Sequence, residues 1–176
     1  MILTGTEIGS QWESGAIRIS DFDPSRITTN SYDLLLGRRI IRYTGEILDP
    51  RVNNEYEMVE IPDDGLTLQS GDFVLGETHE MIGSDHNVPL IHAKSGTARL
   101  GLFVHVTADL IDIGSYGRST LQLFATLPVR IYHLMPIAQV TFWKPVGEIT
   151  LYSGKYAGST GPMPSLSYRD SAGAAA

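Results

Sequence analysis

The most informative absence in this chain of 176 residues is cysteine. Without cysteine the protein can form no disulfide bond, has no thiol nucleophile and cannot build a zinc site on thiolate ligands. The histidines do not supply an alternative metal site, because they show no metal-ligand spacing. We therefore expect them at core, turn or surface positions; they are His79, His86, His92, His105 and His133.

Long apolar runs and runs of basic residues are also missing. A membrane-crossing helix needs roughly 20 apolar residues, and the N-terminus lacks the basic and then apolar pattern of a signal peptide. The formal charge of −7 and the pI near 5.1 repel a polyanionic backbone. These absences predict a cytoplasmic protein that binds neither membranes nor nucleic acid. A small phosphorylated ligand would need only a local basic pocket.

The length and the hydrophobic content of 42% allow one well-buried core and are small for two. The 18 glycines and 9 prolines are spread along the chain, which indicates many tight turns and no linker. We predict a single domain over residues 1–170. The small residues at 171–176 predict a disordered or artificially appended tail.

One helix and a series of short strands account for the hydrophobic pattern. Thr4 and Glu7 have the spacing of a capping box, and Ile8 and Trp12 follow on one face, which predicts an N-terminal helix that packs on the body of the protein. Beyond it, runs rich in Val, Ile, Phe and Tyr are typical of an all-β sandwich or distorted barrel. The predicted strands are 34–43, 73–77, 88–93, 102–107, 120–124, 129–132 and 137–143, with 49–64 as an exposed excursion.

A short basic segment lies near the middle of the chain. It offers backbone N–H groups, a hydroxyl group and two cations within six positions, which is the chemistry that holds phosphate oxygens. By itself the segment also fits two ordinary surface cations beside a turn, because Walker-type glycine spacing is absent. Its residues are Lys94, Ser95, Gly96, Thr97, Ala98 and Arg99.

A carboxylate follows the next apolar run. Asp112 stands between Ile111 and Ile113, where a charge would be unfavourable to bury without partners. The residues themselves leave two interpretations open. Asp112 either forms a turn before Gly114 or contacts a ligand.

Several pieces of the chain together form a specific signature. They are Asn30, Tyr32-Asp33, 34–37, Lys94-Ser95, 98–102, 105–108, 111–112 leading to Gly117, 137–139, 155–158, 161–162 and 164–165. In this combination the sequence resembles the dCTP deaminase branch of the dCTP deaminase/dUTPase superfamily. The resemblance covers most of the chain. It implies a distorted, jelly-roll-like β-barrel of the dUTPase-like type with a short N-terminal helix.

The resemblance also implies which residues contact a nucleotide. The segment 94–99 would hold the triphosphate, Asp112 would contact the deoxyribose 3′-hydroxyl group, and backbone groups would form the base pocket. Ser159 stands where the family has a glutamine, and we expect a smaller contribution from it. The contact residues beyond 94–99 are Ala108, Asp112, Thr120, Leu121, Gln122, Gln139, Tyr152, Lys155 and Ser159.

Cofactor and assembly follow from the same resemblance. The family implies Mg²⁺ carried on the triphosphate without a protein cage, and no zinc. It implies a homotrimer whose active sites lie between subunits, with pyrimidine deoxynucleotides such as dCTP, dUTP or dTTP as ligands. The glycine-bearing C-terminal tail, with Tyr152, Lys155 and Tyr156, would become ordered only over bound nucleotide.

One residue departs from the family where the chemistry takes place. The deaminases carry a glutamate general base, held with a serine and an arginine that match Ser95 and Arg99, whereas this chain has Gln122. A carboxylate can take a proton from the water that attacks cytosine C4 and return it to the leaving ammonia. A carboxamide cannot. The candidate catalytic positions are therefore Gln122, Ser95, Arg99 and Asp112.

The sequence leaves three functions open. The first is a dCTP deaminase-family hydrolase that acts on dCTP, giving dUTP or dUMP, with deamination impaired because Gln122 replaces the general base. The second is a diphosphatase that cleaves dUTP or dCTP with Asp112 and leaves the base unchanged. The third is a non-catalytic, nucleotide-binding regulatory trimer. Turnover of a deoxynucleoside triphosphate separates the two enzymes from the third.

Overall fold

The N-terminal helix forms where the capping signal places it. The computed structural model describes residues 1–172, and helix α1 spans Gly5–Glu13. The Thr4 Oγ1 accepts a hydrogen bond from the backbone N–H of Glu7 at 3.4 Å. Ile8 is fully buried, whereas Trp12 is 36% exposed and stacks on Phe22 with 4.0 Å between ring centroids. The predicted helix is confirmed, and Trp12 covers the edge of the core rather than entering it.

Three antiparallel sheets form the body of the protein within the described residues. The largest has the order β4-β3-β6-β9-β8, with β1 also paired to β6; the others are β2-β11-β7 and β10-β5. The strands are β1 (Ile17–Ile19), β2 (Tyr32–Leu35), β3 (Arg39–Tyr43), β4 (Tyr56–Glu60), β5 (Leu66–Leu68), β6 (Phe73–Ser84), β7 (Val88–Ala93), β8 (Leu102–Phe103), β9 (Tyr116–Ala125), β10 (Val129–Ile131) and β11 (Pro136–Trp143). The remaining helices are α2 (Ser95–Arg99) and α3 (Tyr168–Ala172).

Alternation of side chains along the strands separates the core from the outer surface. In β9, Leu121 and Leu123 are fully buried in the core, whereas Gln122 and Phe124 between and beside them are only partly buried on the opposite face. The predicted all-β, jelly-roll-like fold with a short N-terminal helix is confirmed, although continuous hydrogen bonding does not close the described sheets into a barrel. No helix in residues 1–172 is long and apolar enough to cross a membrane.

Strand boundaries differ from the sequence prediction where tertiary contacts intervene. The predicted strand 34–43 is interrupted at Gly37, where an added Cβ would lie 2.3 Å from the Glu77 side chain. The predicted strand 102–107 ends at Phe103, and the polar stretch 49–64 contains β4, paired with β3. Of the predicted tail, 171–172 belong to α3, while 173–176 lie outside the described residues.

Strand β6 carries two buried carboxylates where its pairing with β9 is irregular: Glu77 is the last residue before the irregular stretch, and Glu80 lies within it. Glu80 is fully buried, pairs with Arg26 and accepts a hydrogen bond from the backbone N–H of Leu35 at 3.1 Å. Glu77, with 3% of its side chain exposed, pairs with Arg39. A buried charge needs partners of this kind because its desolvation is otherwise uncompensated. The two pairs therefore fix β6 to the 3₁₀ turn Pro24–Arg26, to β2 and to β3.

Replacing Glu80 tests how much the Glu80–Arg26 pair contributes to the stability of the fold. We expect Glu80→Gln to lower the free energy of unfolding by about 3 kcal/mol, because Arg26 would keep a buried charge without a counter-ion. The matched control is Asp63→Asn, which removes the exposed partner of Arg38 and should cost less than about 1 kcal/mol. Urea unfolding measures both. Equal losses in the two variants would contradict a special role for the Glu80 pair.

Candidate active site

A pocket of about 600 Å³ opens on the outer face of the six-stranded sheet. Leu75 of β6 and Thr120 and Gln122 of β9 form its floor. One wall is the loop 104–115 between β8 and β9, and the other is the C-terminal segment 151–167. The volume lies in the range that small-molecule sites occupy.

The strand register determines the character of the floor. Gln122 lies opposite Leu75, and Leu75 lies opposite Ile41, so the carboxamide ends an otherwise apolar row. The backbone N–H of Thr107, in the loop, points to the Gln122 Oε1 at 3.5 Å. A partly buried polar side chain on a rigid central strand is well placed to meet a ligand.

The backbone of β9 offers further polar groups at the same place. The N–H of Ser119 bonds to Thr78 of β6, whereas the N–H of Arg118 points the other way and bonds to the Ser159 carbonyl oxygen at 2.8 Å. Because successive peptide groups of a strand alternate, the N–H and C=O of Thr120 and Gln122 face the same edge as those of Arg118. Strand β8 pairs with β9 only at Phe124 and Ala125 within the described residues, so this edge is open beside the loop wall.

The loop wall contains two predicted residues and one buried imidazole. Ala108 and Asp112 both line the pocket and are exposed. His105 also lines it, and both ring nitrogens are buried without a hydrogen-bond partner among residues 1–172. Burial lowers the pKa of His105 from 6.5 to about 4; His92 acts in the same direction and Asp109 opposes it. The ring is therefore neutral at physiological pH.

The C-terminal wall is fixed to the sheet by backbone hydrogen bonds. The N–H of Met163 donates to the Thr120 Oγ1 at 3.0 Å, and the N–H of Ser165 donates to the Tyr43 hydroxyl oxygen at 2.7 Å. Pro162 and Leu166 are buried. This differs from the expectation of a tail that becomes ordered only over nucleotide, because segment 151–167 has its own anchors on β3 and β9.

The pocket brings together only part of the predicted site. The predicted residues that line it are Ala108, Asp112, Thr120, Gln122, Tyr152 and Ser159. The Ser159 hydroxyl group donates to the Gly161 carbonyl oxygen at 2.7 Å, so it serves the turn of the segment. The predicted residues that do not line it are Lys94, Ser95, Gly96, Thr97, Ala98, Arg99, Leu121, Gln139 and Lys155.

The basic segment forms a surface helix away from this pocket. Lys94 is the N-cap of α2 and pairs with Asp33 of β2. Arg99 is exposed, and its Nη1 donates to the Ser95 carbonyl oxygen at 2.9 Å. Arg99 is thus accessible, whereas Lys94 has 30% of its side chain exposed and is occupied by Asp33. Both lie at the end of β7, on a different sheet from the pocket floor.

Three further predicted residues have other surroundings. Leu121 points into the core, so only its backbone lies at the floor. Gln139, on β11, accepts a hydrogen bond from the Ser31 hydroxyl group at 2.9 Å and lies in register with Asp33 and His92. Lys155 pairs with Asp170 of α3.

Sequence reasoning assigned no contact to several polar residues that line the pocket, among them Tyr43, Arg118 and Ser165, although Ser165 belongs to the family signature. Tyr43 is the last residue of β3, which contains no recognisable motif. Its side chain reaches the site only because β3 lies two strands from β9 in the sheet. Arg118 uses its Nη1 to bind the carbonyl oxygen of Thr78 at 3.0 Å. The alternation along β9 places Arg118 on the same face as Thr120 and Gln122, and this was the one signal available.

A comparison with solved structures identifies the fold. A crystal structure of 2′-deoxycytidine 5′-triphosphate deaminase from Agrobacterium tumefaciens superposes with a TM-score of 0.63, at 21% sequence identity, over 80% of this chain and 47% of that chain. The protein thus has the fold of the dCTP deaminases.

The sequence comparisons are more specific. A family model described as dCTP deaminase-like matches residues 2–145. The protein is 42% identical, over 97% of its length and 98% of the relative, to "dCTP deaminase, dUMP-forming" of Clostridium beijerinckii. It is 39% identical, at the same coverage, to the protein of that name from Cytophaga hutchinsonii. The chain belongs to the dCTP deaminase-like family of enzymes.

The buried imidazole predicts a pH dependence of stability. The unfolded chain takes up the His105 proton near pH 6.5, but the folded chain only near pH 4. Stability should therefore fall as the pH drops through this window, by up to about 3 kcal/mol from this residue. We expect His105→Gln to flatten the decline measured by urea unfolding between pH 6.5 and 4. The exposed His86, changed to Gln, is the control; an unchanged slope in His105→Gln would contradict the prediction.

Proposed function

We propose that the pocket binds the base and sugar of a pyrimidine deoxynucleoside triphosphate, and that the protein is a hydrolase acting on dCTP. The observation that carries this proposal is the convergence of Ala108, Asp112, Thr120 and Gln122 on one pocket in a member of the dCTP deaminase-like family. The open edge of β9 supports it, because fixed N–H and C=O groups can match the donors and acceptors of a pyrimidine one for one.

Gln122 would decide how far the reaction goes. Deamination at C4 requires a group that removes a proton from water and later delivers one, and a carboxamide has no titratable proton in the relevant range. Its donor and acceptor atoms still allow hydrogen bonding to the base. We therefore propose nucleotide binding with slow deamination. The relatives named dUMP-forming favour dUMP over dUTP as the final product.

The triphosphate would be held by a second subunit. Lys94, Ser95 and Arg99 carry the charge and donors that phosphates need, yet none of them lines the pocket of its own chain. A cyclic homotrimer resolves this separation by placing α2 of one subunit beside the pocket of the next. Mg²⁺ would travel on the phosphate oxygens; residues 1–172 contain no cluster of three His, Asp or Glu side chains for it.

A diphosphatase is the second candidate, and the exposure of Asp112 favours it. This carboxylate lines the pocket and is exposed, so it can orient a water for attack on a phosphate without any help from Gln122. Chromatography of products after incubation with dCTP and with dUTP separates the possibilities. Deamination alone gives dUTP, deamination with diphosphate cleavage gives dUMP, and cleavage alone gives dCMP from dCTP; no turnover would leave only a binding protein.

Restoring the carboxylate tests the role assigned to residue 122. We expect Gln122→Glu to raise the rate of dCTP deamination by at least about 10²-fold, the lower end of what general acid–base assistance contributes. The affinity for dCTP should change far less, because the two side chains have the same shape. Rapid deamination by the unmodified protein would contradict the proposal, since the base would then be another residue.

Mixing two variants tests the shared site. Arg99→Ala should weaken dCTP binding by about 2–4 kcal/mol, and Asp112→Ala should also weaken it. Trimers co-expressed from equal amounts of the two chains combine an intact α2 with an intact pocket at about a quarter of their sites. Calorimetry should find that fraction of high-affinity sites. Their complete absence would show that each subunit uses its own α2.

A further inference from the structure

The Glu77–Arg39 pair differs from an ordinary surface ion pair. The Arg39 Nε and Nη2 donate to the two Glu77 carboxylate oxygens at 3.0 and 2.9 Å, and the backbone N–H of Arg39 donates to the Oε1 at 3.2 Å. Glu77 has 3% of its side chain exposed and Arg39 has 36%. Hydrogen bonding to Glu77 raises the pKa of Arg39 above its ordinary value. A planar guanidinium held at two points has one fixed orientation.

The same guanidinium reaches the C-terminal wall of the pocket. The Arg39 Nη2 also donates to the Thr160 carbonyl oxygen. Gly161 lies directly over it, since a Cβ at that position would be 2.9 Å from the Arg39 Cζ and Nη2 atoms. Arg39 therefore links a buried carboxylate of β6 to the backbone of segment 151–167.

The link lies next to the parts of the segment that face the nucleotide pocket. Ser159, directly before Thr160, lines the pocket and accepts the hydrogen bond from Arg118. A Cβ on Gly117 would lie 2.6 Å from the Ser159 carbonyl oxygen, so the segment lies close against β9 here. Glu77 is also the register partner of Thr120, whose Oγ1 holds Met163. Neighbouring residues on adjacent strands thus hold the segment at two points: Arg39, paired with Glu77, binds Thr160, and Thr120 binds Met163.

We propose that Arg39, oriented by Glu77, is a positioning residue that fixes the C-terminal wall over the pocket before nucleotide binds and thereby sets nucleotide affinity. The nature of the ligand rests on the proposed function, whereas the anchoring rests on contacts within the chain. Arg39 contacts no reacting atom in this account. Its effect passes through Thr160 and Ser159 to the shape of the pocket.

Arg38, the preceding residue, provides a matched control. It is also partly exposed and pairs with a carboxylate, Asp63, at 3.1 Å. That carboxylate is 91% exposed, and neither residue lines the pocket. Replacing Arg38 removes one positive charge at the start of β3, as replacing Arg39 does, but leaves the contacts of Arg39 with Glu77 and Thr160 intact.

The experiment compares Arg39→Gln with Arg38→Gln in the full chain. Amide hydrogen exchange of nucleotide-free protein should be at least about tenfold faster at Met163 and Ser165 in Arg39→Gln, and unchanged in Arg38→Gln. Titration with dCTP should show a Kd about tenfold higher for Arg39→Gln only. In turnover assays KM should rise more than kcat falls. Arg39→Lys, which keeps the charge but not the bidentate fork, should recover only part of the affinity.

Gly161→Ala gives an independent test if Arg39→Gln does not fold. The added methyl group would displace the segment from the guanidinium and leave the Glu77–Arg39 pair in place, so the same faster exchange and weaker binding are expected. Unchanged exchange in either folded variant would overturn the anchor. Faster exchange with unchanged dCTP affinity would overturn the positioning role. Failure of the unmodified protein to bind dCTP would instead overturn the proposed function. Amide hydrogen exchange would then decide by itself whether Arg39 anchors segment 151–167.

Discussion

The structure depends on the need to neutralise two carboxylates buried in one strand. Glu77 and Glu80 lie three residues apart in β6, and a lone buried charge would destabilise the fold by several kcal/mol. Each therefore has an arginine from another element, Arg39 from β3 and Arg26 from the 3₁₀ turn. Between them, the Thr78 hydroxyl group donates to the Glu80 carbonyl oxygen at 2.8 Å and accepts from the Ser119 N–H. Because β6 also pairs with β1, β3 and β9, these bonds organise the largest sheet.

The candidate site combines a rigid floor with walls made of loops. Its floor is the outer face of β6 and β9, where side chains are fixed by register, while the walls are segments 104–115 and 151–167. Such an arrangement holds the side chain at position 122 in one place, whichever residue stands there. Glutamine and glutamate have nearly the same shape, so a change from one to the other at position 122 would alter proton transfer without requiring any change in packing.

Local patterns in the sequence account for most of the fold. The Thr4 cap and the run that forms β7 are local signals, and both elements lie where they were predicted. The predicted strand 120–124 is also present, but β9 is longer at both ends and spans Tyr116–Ala125. Errors arose where distant contacts override local preference. Gly37 interrupts a strand because Glu77 occupies the space beside it, and β4 forms in a polar stretch because β3 supplies its hydrogen-bond partners.

By itself the sequence determined that no thiolate chemistry is available, that the chain is built mainly of strands, and that a carboxamide stands at position 122, where the family resemblance implies a general base. Only the tertiary structure decided which candidates share a pocket. Gln122 and Asp112 both line it, whereas Lys94 is the N-cap of helix α2 and Arg99 lies in its last turn, outside the pocket. The link from Arg39 to Thr160 joins residues 121 positions apart in sequence. No periodicity or motif encodes such a contact, because it depends on how the strands order themselves in the sheet and where the chain returns across it.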